Sequence, residues 1–85
     1  MAAPVEPVLV DSHNHFDDAG FDDDRDAAYQ RARAAGVTTQ VLAAVSARLW
    51  PGLRAVVARY PGLHACYGLH PAYLAEHRPE HLAHL

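Results

Sequence analysis

Lysine and isoleucine are absent from this chain, and cysteine occurs once. All seven basic side chains are arginine, and with the abundant alanine this leads to the expectation of a GC-rich, bacterial coding sequence. The lone Cys66 excludes an internal disulfide and fits a reducing cytosol. No apolar run approaches the ~20 residues that cross a bilayer. The start Met1-Ala2-Ala3-Pro4 lacks the charged-then-apolar order of a signal peptide. A cytoplasmic protein with no membrane partner is expected. Basic excess is missing too. Ten acidic against seven basic residues give a formal charge of -3, so no broad positive surface holds nucleic acid by charge alone. Repeats, low-complexity tracts and domain linkers are also lacking.

What is present is an apolar fraction of 51%, enough for a core, in 85 residues: one small domain or a piece of a larger one. Residues 1 to 6 read as a loose leader, with Pro4 and Pro7 delaying the first strand, which covers roughly Val8 to His13. The carboxylates of Asp22, Asp23 and Asp24 suit a helix start, where they oppose the helix dipole and cap free N–H groups. A helix from about Asp24 to Ala35 would bury Ala28, Ala32 and Ala35, and Gly36 would end it in the left-handed conformation. Val37 to Val45 is a second strand, apolar almost throughout, as expected when both faces are covered. Ser46 is a candidate cap for the next helix and Pro51 suits its first turn. Leu49, Leu53, Val56, Val57 and Tyr60 then form an apolar stripe at helical spacing, stopped by Pro61-Gly62. Leu63 to Leu69 reads as a third strand ending at His70-Pro71, and Pro79 opens a short last helix through Leu82 and Leu85.

The fold class is therefore α/β, a β-α-β-α-β parallel unit with right-handed crossovers. A complete TIM (β/α)8 barrel needs about 250 residues. Residues 1–85 are expected to be the first third of one.

His13 and His15 close the first strand. Residues two apart on a strand face the same way, so both imidazoles would project from its C-terminal end. Functional groups gather at that end of the strands in parallel α/β folds. The pair is a candidate metal site. Asp11 shares their face and would either orient a ligand or be a buried carboxylate satisfied by backbone donors. Asp17 and Asp18 are expected to cap the loop turn. Alternation along the third strand aligns His70 with Cys66 and Gly68 toward the same mouth, with His64 at the opposite end. Cys66 is expected to be a small core residue. His77, His81 and His84 have spacings that can bind metal on a helix, but Pro79 interrupts them, which favours surface residues. Trp50 and Tyr73 would border the mouth and stack on a base, or simply pack.

The segments Val10-Asp11-Ser12-His13-Asn14-His15, Asp24-Arg25, Arg33-Ala34-Ala35-Gly36-Val37 and Gly68-Leu69-His70-Pro71 resemble the TatD-type metal-dependent hydrolases. These are barrel enzymes related to the amidohydrolases, and the likeness runs from about Leu9 to the C-terminus. The resemblance implies that His13 and His15 are metal ligands and that His70 contacts a substrate phosphate or its attacking water. It implies one or two divalent ions (Mg, Mn or Zn) and hydrolysis of DNA phosphodiester bonds by an activated water, with DNA as the substrate. The family's further ligands are a glutamate in a Gly-Glu-x-Gly segment, two later histidines and an aspartate. No such segment occurs here, and Glu6, Glu76 and Glu80 stand in other contexts. Residues 1–85 alone are therefore expected to lack the full site. Two other readings stay open: an amide or ester hydrolase of the same superfamily, such as an aminoacyl-tRNA deacylase, and a non-catalytic fragment whose open strand edges favour self-association.

Overall fold

The computed structural model describes residues 8–85; the proposed leader lies outside them. Three strands, β1 (Leu9–Asn14), β2 (Val37–Ala43) and β3 (Leu63–Cys66), pair in parallel in the order β1-β2-β3. Helix α1 (Arg25–Ala34) connects the first two and α2 (Trp50–Arg59) the second two, with α3 (Pro79–Ala83) following β3. The alternation read from the sequence is the observed one.

The crossovers are closed by local chemistry. Gly36 (φ 100°) and Gly62 (φ 86°) take the left-handed conformation that ends each connection before the next strand. A Cβ on Gly62 would overlap the Thr38 carbonyl, so the chain passes β2 too closely for any side chain there. Pro51 sits in the first turn of α2, where its missing N–H leaves no bond unmade. Ser46 does not cap this helix. Its hydroxyl makes no cap bond and donates instead to Glu76, thirty residues on.

Both crossover helices pack on one face of the sheet. Phe16, Tyr29, Leu42, Leu53, Tyr60 and Leu63 form the core between them, with Leu42 and Leu53 the most deeply buried apolar side chains. Tyr29 and Tyr60 pack at 4.6 Å between ring centroids, and Phe16 meets Tyr60 edge-on at 5.8 Å. Helix α1 therefore buries its tyrosine more deeply than the alanines. Ala28 is half-buried against the core, and Ala35 is exposed because the helix has already ended there.

The opposite face carries Val10, Val41, His64 and Cys66, which the strand register places in adjacent rows. Val10 on β1 and Cys66 on β3 are exposed, so the expectation of a core Cys66 does not hold, while β2 between them has no exposed residue. No layer of these residues packs against that face. β3 is also shorter than expected. It pairs only as far as β2 offers a partner, and the last ladder bond runs from the Ala44 N–H to the Cys66 carbonyl.

Candidate metal centre

β1 delivers His13 and His15 to the C-terminal end of the sheet, both exposed, their rings edge-to-face at 5.4 Å between centroids. The strand end is held from below. Asp11 accepts from the His13 N–H (3.2 Å) and from the Asn14 side-chain amide (2.9 Å), which also donates to the buried Gln40 on β2 (2.9 Å). Asp11 is thus a half-buried carboxylate satisfied by one backbone and one side-chain donor. The glutamine inside β2 was the available sign of this network.

The loop after the pair is braced by Arg25, whose side chain is only 11% exposed. It donates to the carbonyls of Phe16, Asp17 and Asp18 at 3.1, 3.3 and 2.7 Å, and pairs with Asp22 at 3.0 Å. Five guanidinium donors in a rigid fork suit several converging carbonyls, as an ammonium does not. In the sequence Arg25 stood out only through the family resemblance, and Asp24 as part of an acidic helix start. Asp24 itself makes no cap bond.

The two loop aspartates do different things. Asp18 caps the next turn, accepting from the Gly20 N–H at 2.8 Å. Asp17 does not share in capping through Oδ1, which is buried and has no hydrogen-bond partner among the described residues. Asp17 lines a cleft of about 500 Å³ with His15, Asp18, Arg48, His70 and Tyr73. His70 therefore reaches the neighbourhood of His15, though not by strand alternation, since β3 ends at Cys66. It is returned to the sheet end by a bond from its N–H to the Val45 carbonyl (2.9 Å).

The segment carrying His70 is clamped at long range. Glu76 accepts from Ser46 (2.7 Å) and from Arg48 Nε (2.7 Å), tying the turn over Pro71–Glu76 to the loop before α2. The Arg48 hydrogen bond, with that of Ser46, holds the Glu76 carboxyl below its ordinary value, and Arg48 is raised in return. His77 is half-buried rather than a free surface residue, bonded through Nε2 to the His70 carbonyl at 2.7 Å. Trp50 donates to the Gly68 carbonyl and meets Tyr67 edge-on, which is a packing role. Tyr73 stays partly exposed at the cleft.

Residues 10–85 match the family model described as TatD related DNase. The chain belongs to the TatD family. It is 38% identical over 69 residues to YjjV of Escherichia coli strain K12, described as an uncharacterized metal-dependent hydrolase, covering 81% of this chain and 27% of that protein. The crystal structure of YjjV, a TatD homologue from Escherichia coli K12, superimposes with a TM-score of 0.82 at 36% identity, over 88% of this chain and 29% of that one. The three parallel strands and their helices are the N-terminal portion of the TatD barrel.

The TatD chain offers a partial donor set. No group of three His, Cys, Asp or Glu side chains converges on one point among the described residues. Two of its features nevertheless suit a cation. His15 Nδ1 lies 2.9 Å from the Ala43 carbonyl, which only accepts, so the proton sits on Nδ1 and the Nε2 lone pair is free. Asp17, which lines the same cleft and has one buried oxygen without a partner among the described residues, adds a carboxylate beside it.

Proposed function

We propose that this chain supplies the first metal-binding strand of a divalent-metal-dependent phosphodiesterase acting on DNA. His13 and His15 are the ligands it contributes and His70 its contact to substrate. The observation that carries this reading is His15: its Nδ1 lies against the Ala43 carbonyl, which in the neutral ring leaves Nε2 as the acceptor nitrogen of a residue at the C-terminal end of a barrel strand. Imidazole donors suit Zn²⁺ and Mn²⁺, and Mg²⁺ where carboxylates complete the sphere. Such an ion, when bound, supplies an activated water at neutral pH and offsets charge developing on phosphorus. The chain's own residues do the rest. Arg25 and Asp11 hold the ligand strand and its loop, Asp17 adds charge beside the ligands, and His70 and Tyr73 line the space where a phosphate and its base would lie.

The matched relative is described as a hydrolase with no bond specified. That wording keeps ester or amide hydrolysis, including that of an aminoacyl ester, as the second reading. The chain spans less than a third of the length of the relatives it matches, and the remaining ligands are proposed to come from the other strands of a complete barrel.

The test uses the native polypeptide, its intact mass measured first. Single-stranded DNA and an aminoacyl ester are offered in parallel with Mg²⁺, Mn²⁺ or Zn²⁺. DNA cleavage abolished by chelation and lowered at least about a hundredfold by His13→Ala or His15→Ala is expected, the scale of losing a group that acts in the transition state. Cleavage of the ester alone would move the reading to its alternative. Full activity in both variants would end it.

A further inference from the structure

We infer that the nucleotides flanking the cleaved bond leave the cleft over the loops that follow β2 and β3, along a groove whose unpaired cations are Arg78 and Arg54. The inference rests on the proposed nuclease reading and adds to it the path of the DNA strand. It starts from charge. The formal -3 is unevenly spread, since eight of the ten carboxylates precede residue 27 and six of the seven arginines follow it. The aspartates gather in the loop after β1 and at the start of α1, whereas the loops after β2 and β3 bring Arg48 and Arg78 together. A negative chain thus has a positive side.

That side is concave and adjoins the cleft. Arg48 lines the cleft and also a second hollow of about 570 Å³, with Trp50, Arg78, His81 and His84. Trp50 and His84 continue into a third hollow of about 530 Å³, which carries Arg54 and Tyr67. The shared walls make one groove, and spaces of this size admit successive nucleotides of a single strand. The two outer hollows hold one side-chain carboxylate, Glu76, which already accepts from Ser46 and Arg48. Elsewhere the arginines have partners. Arg25, Arg31 and Arg59 pair with Asp22, Asp24 and Asp26, and Arg33 donates to the Tyr29 hydroxyl. Arg54 and Arg78 are exposed, make no ion pair among the described residues, and both stand on the groove. His81 Nδ1 accepts from the Arg78 N–H (3.1 Å), which leaves its neutral ring a donor at Nε2. Trp50 is fixed by its bond to the Gly68 carbonyl, so the wall common to both hollows is aromatic and held in place. Guanidinium groups along such a wall suit a sugar–phosphate backbone whatever its bases.

Binding of the native polypeptide to a labelled oligothymidylate of about 15 nucleotides, long enough to reach past the cleft, is followed by fluorescence anisotropy with a chelator present, so that nothing is cut. Replacing Arg54 and Arg78 together by alanine should weaken binding about tenfold and flatten its log–log salt dependence by about 1.4, the share of two single-strand phosphate contacts. Both side chains are exposed, so the variant folds as the native chain does. Arg31→Ala, on α1, should change neither quantity. With Mg²⁺ restored, the double variant should show a raised KM for the long strand and an unchanged rate on a thymidine dinucleotide, because neither arginine lines the cleft. Native-like binding by the double variant, or an equal loss from Arg31→Ala, overturns the inference. So does a loss that the dinucleotide shares. Long DNA cleaved alike by native protein and double variant sinks the groove and spares the nuclease reading. Binding that depends on the two arginines, in a protein that leaves DNA intact with every metal, does the reverse.

Discussion

Asp17 sits two residues beyond His15 with a buried oxygen that no donor reaches among the described residues. A buried acceptor left without a bond is penalised by about 1–3 kcal/mol. Stability is commonly traded away at functional sites, and a cation beside Asp17 would offset that cost. Asp17→Asn removes the charge at nearly constant volume. We expect the variant to unfold at slightly higher urea, by roughly 1 kcal/mol. Its affinity for Mn²⁺ or Zn²⁺ should fall by about tenfold, the lower end of what losing an outer partner of a metal site does. Urea titration and calorimetry check the two halves separately. A variant less stable than the native protein, with unchanged metal affinity, would make Asp17 a structural residue. The sequence showed a carboxylate near the histidines. It did not show which of two adjacent aspartates caps the turn, because both have the chemistry and only the backbone angle chooses.

Among the elements, what was legible followed local rules. Apolar runs, helical stripes and the Gly36 and Gly62 stops each depend on neighbours a few residues away, and these gave the order of strands and helices. What was not legible depends on pairs far apart in the chain. Tyr29 reaches the Pro61 carbonyl, Ser46 and Arg48 reach Glu76, and Arg59 reaches Asp26. Partners some thirty residues apart leave no periodicity to read. The Glu76 clamp is the consequential case, since it fixes the turn that presents His70 and Tyr73. Its carboxyl is held below the ordinary value of 4.5, chiefly by Arg48. A group lowered on folding contributes stability that is full above its unfolded value and is lost as pH falls through the folded one. Order in the Pro71–Glu76 turn should therefore persist above pH 4.5 and fade below it. Glu76→Gln should loosen the turn at neutral pH and flatten this acid dependence. The near-ultraviolet circular dichroism of Tyr73 and Trp50 follows both, and an acid transition unchanged in the variant would assign it to another carboxylate.

At the scale of the whole molecule, the sheet is finished on one side only. β1 and β3 are both edge strands, and the face away from α1 and α2 exposes Val10 at 61%. Val8, just before β1, is 61% exposed as well. Unpaired strand edges beside apolar surface are templates for further pairing, and no lysine blunts them here. In the matched barrel more than two-thirds of the chain lies beyond the region shared with this one. Strands supplied from that portion are the natural cover for such a face, because a barrel abolishes edges altogether. A polypeptide limited to residues 1–85 should therefore associate. Light scattering after size exclusion should give a mass above the 9.3 kDa monomer, rising with concentration. Val10→Arg places a charge on the open face at the β1 edge, away from both the core and the cleft, and should return the species toward the monomer without loss of helix signal. A native fragment that runs as a monodisperse monomer at high concentration would mean that the open edges are protected by something other than pairing. The association prediction would then fall, while the metal site, whose histidines stand at the end of β1 and are braced by β2, would be untouched.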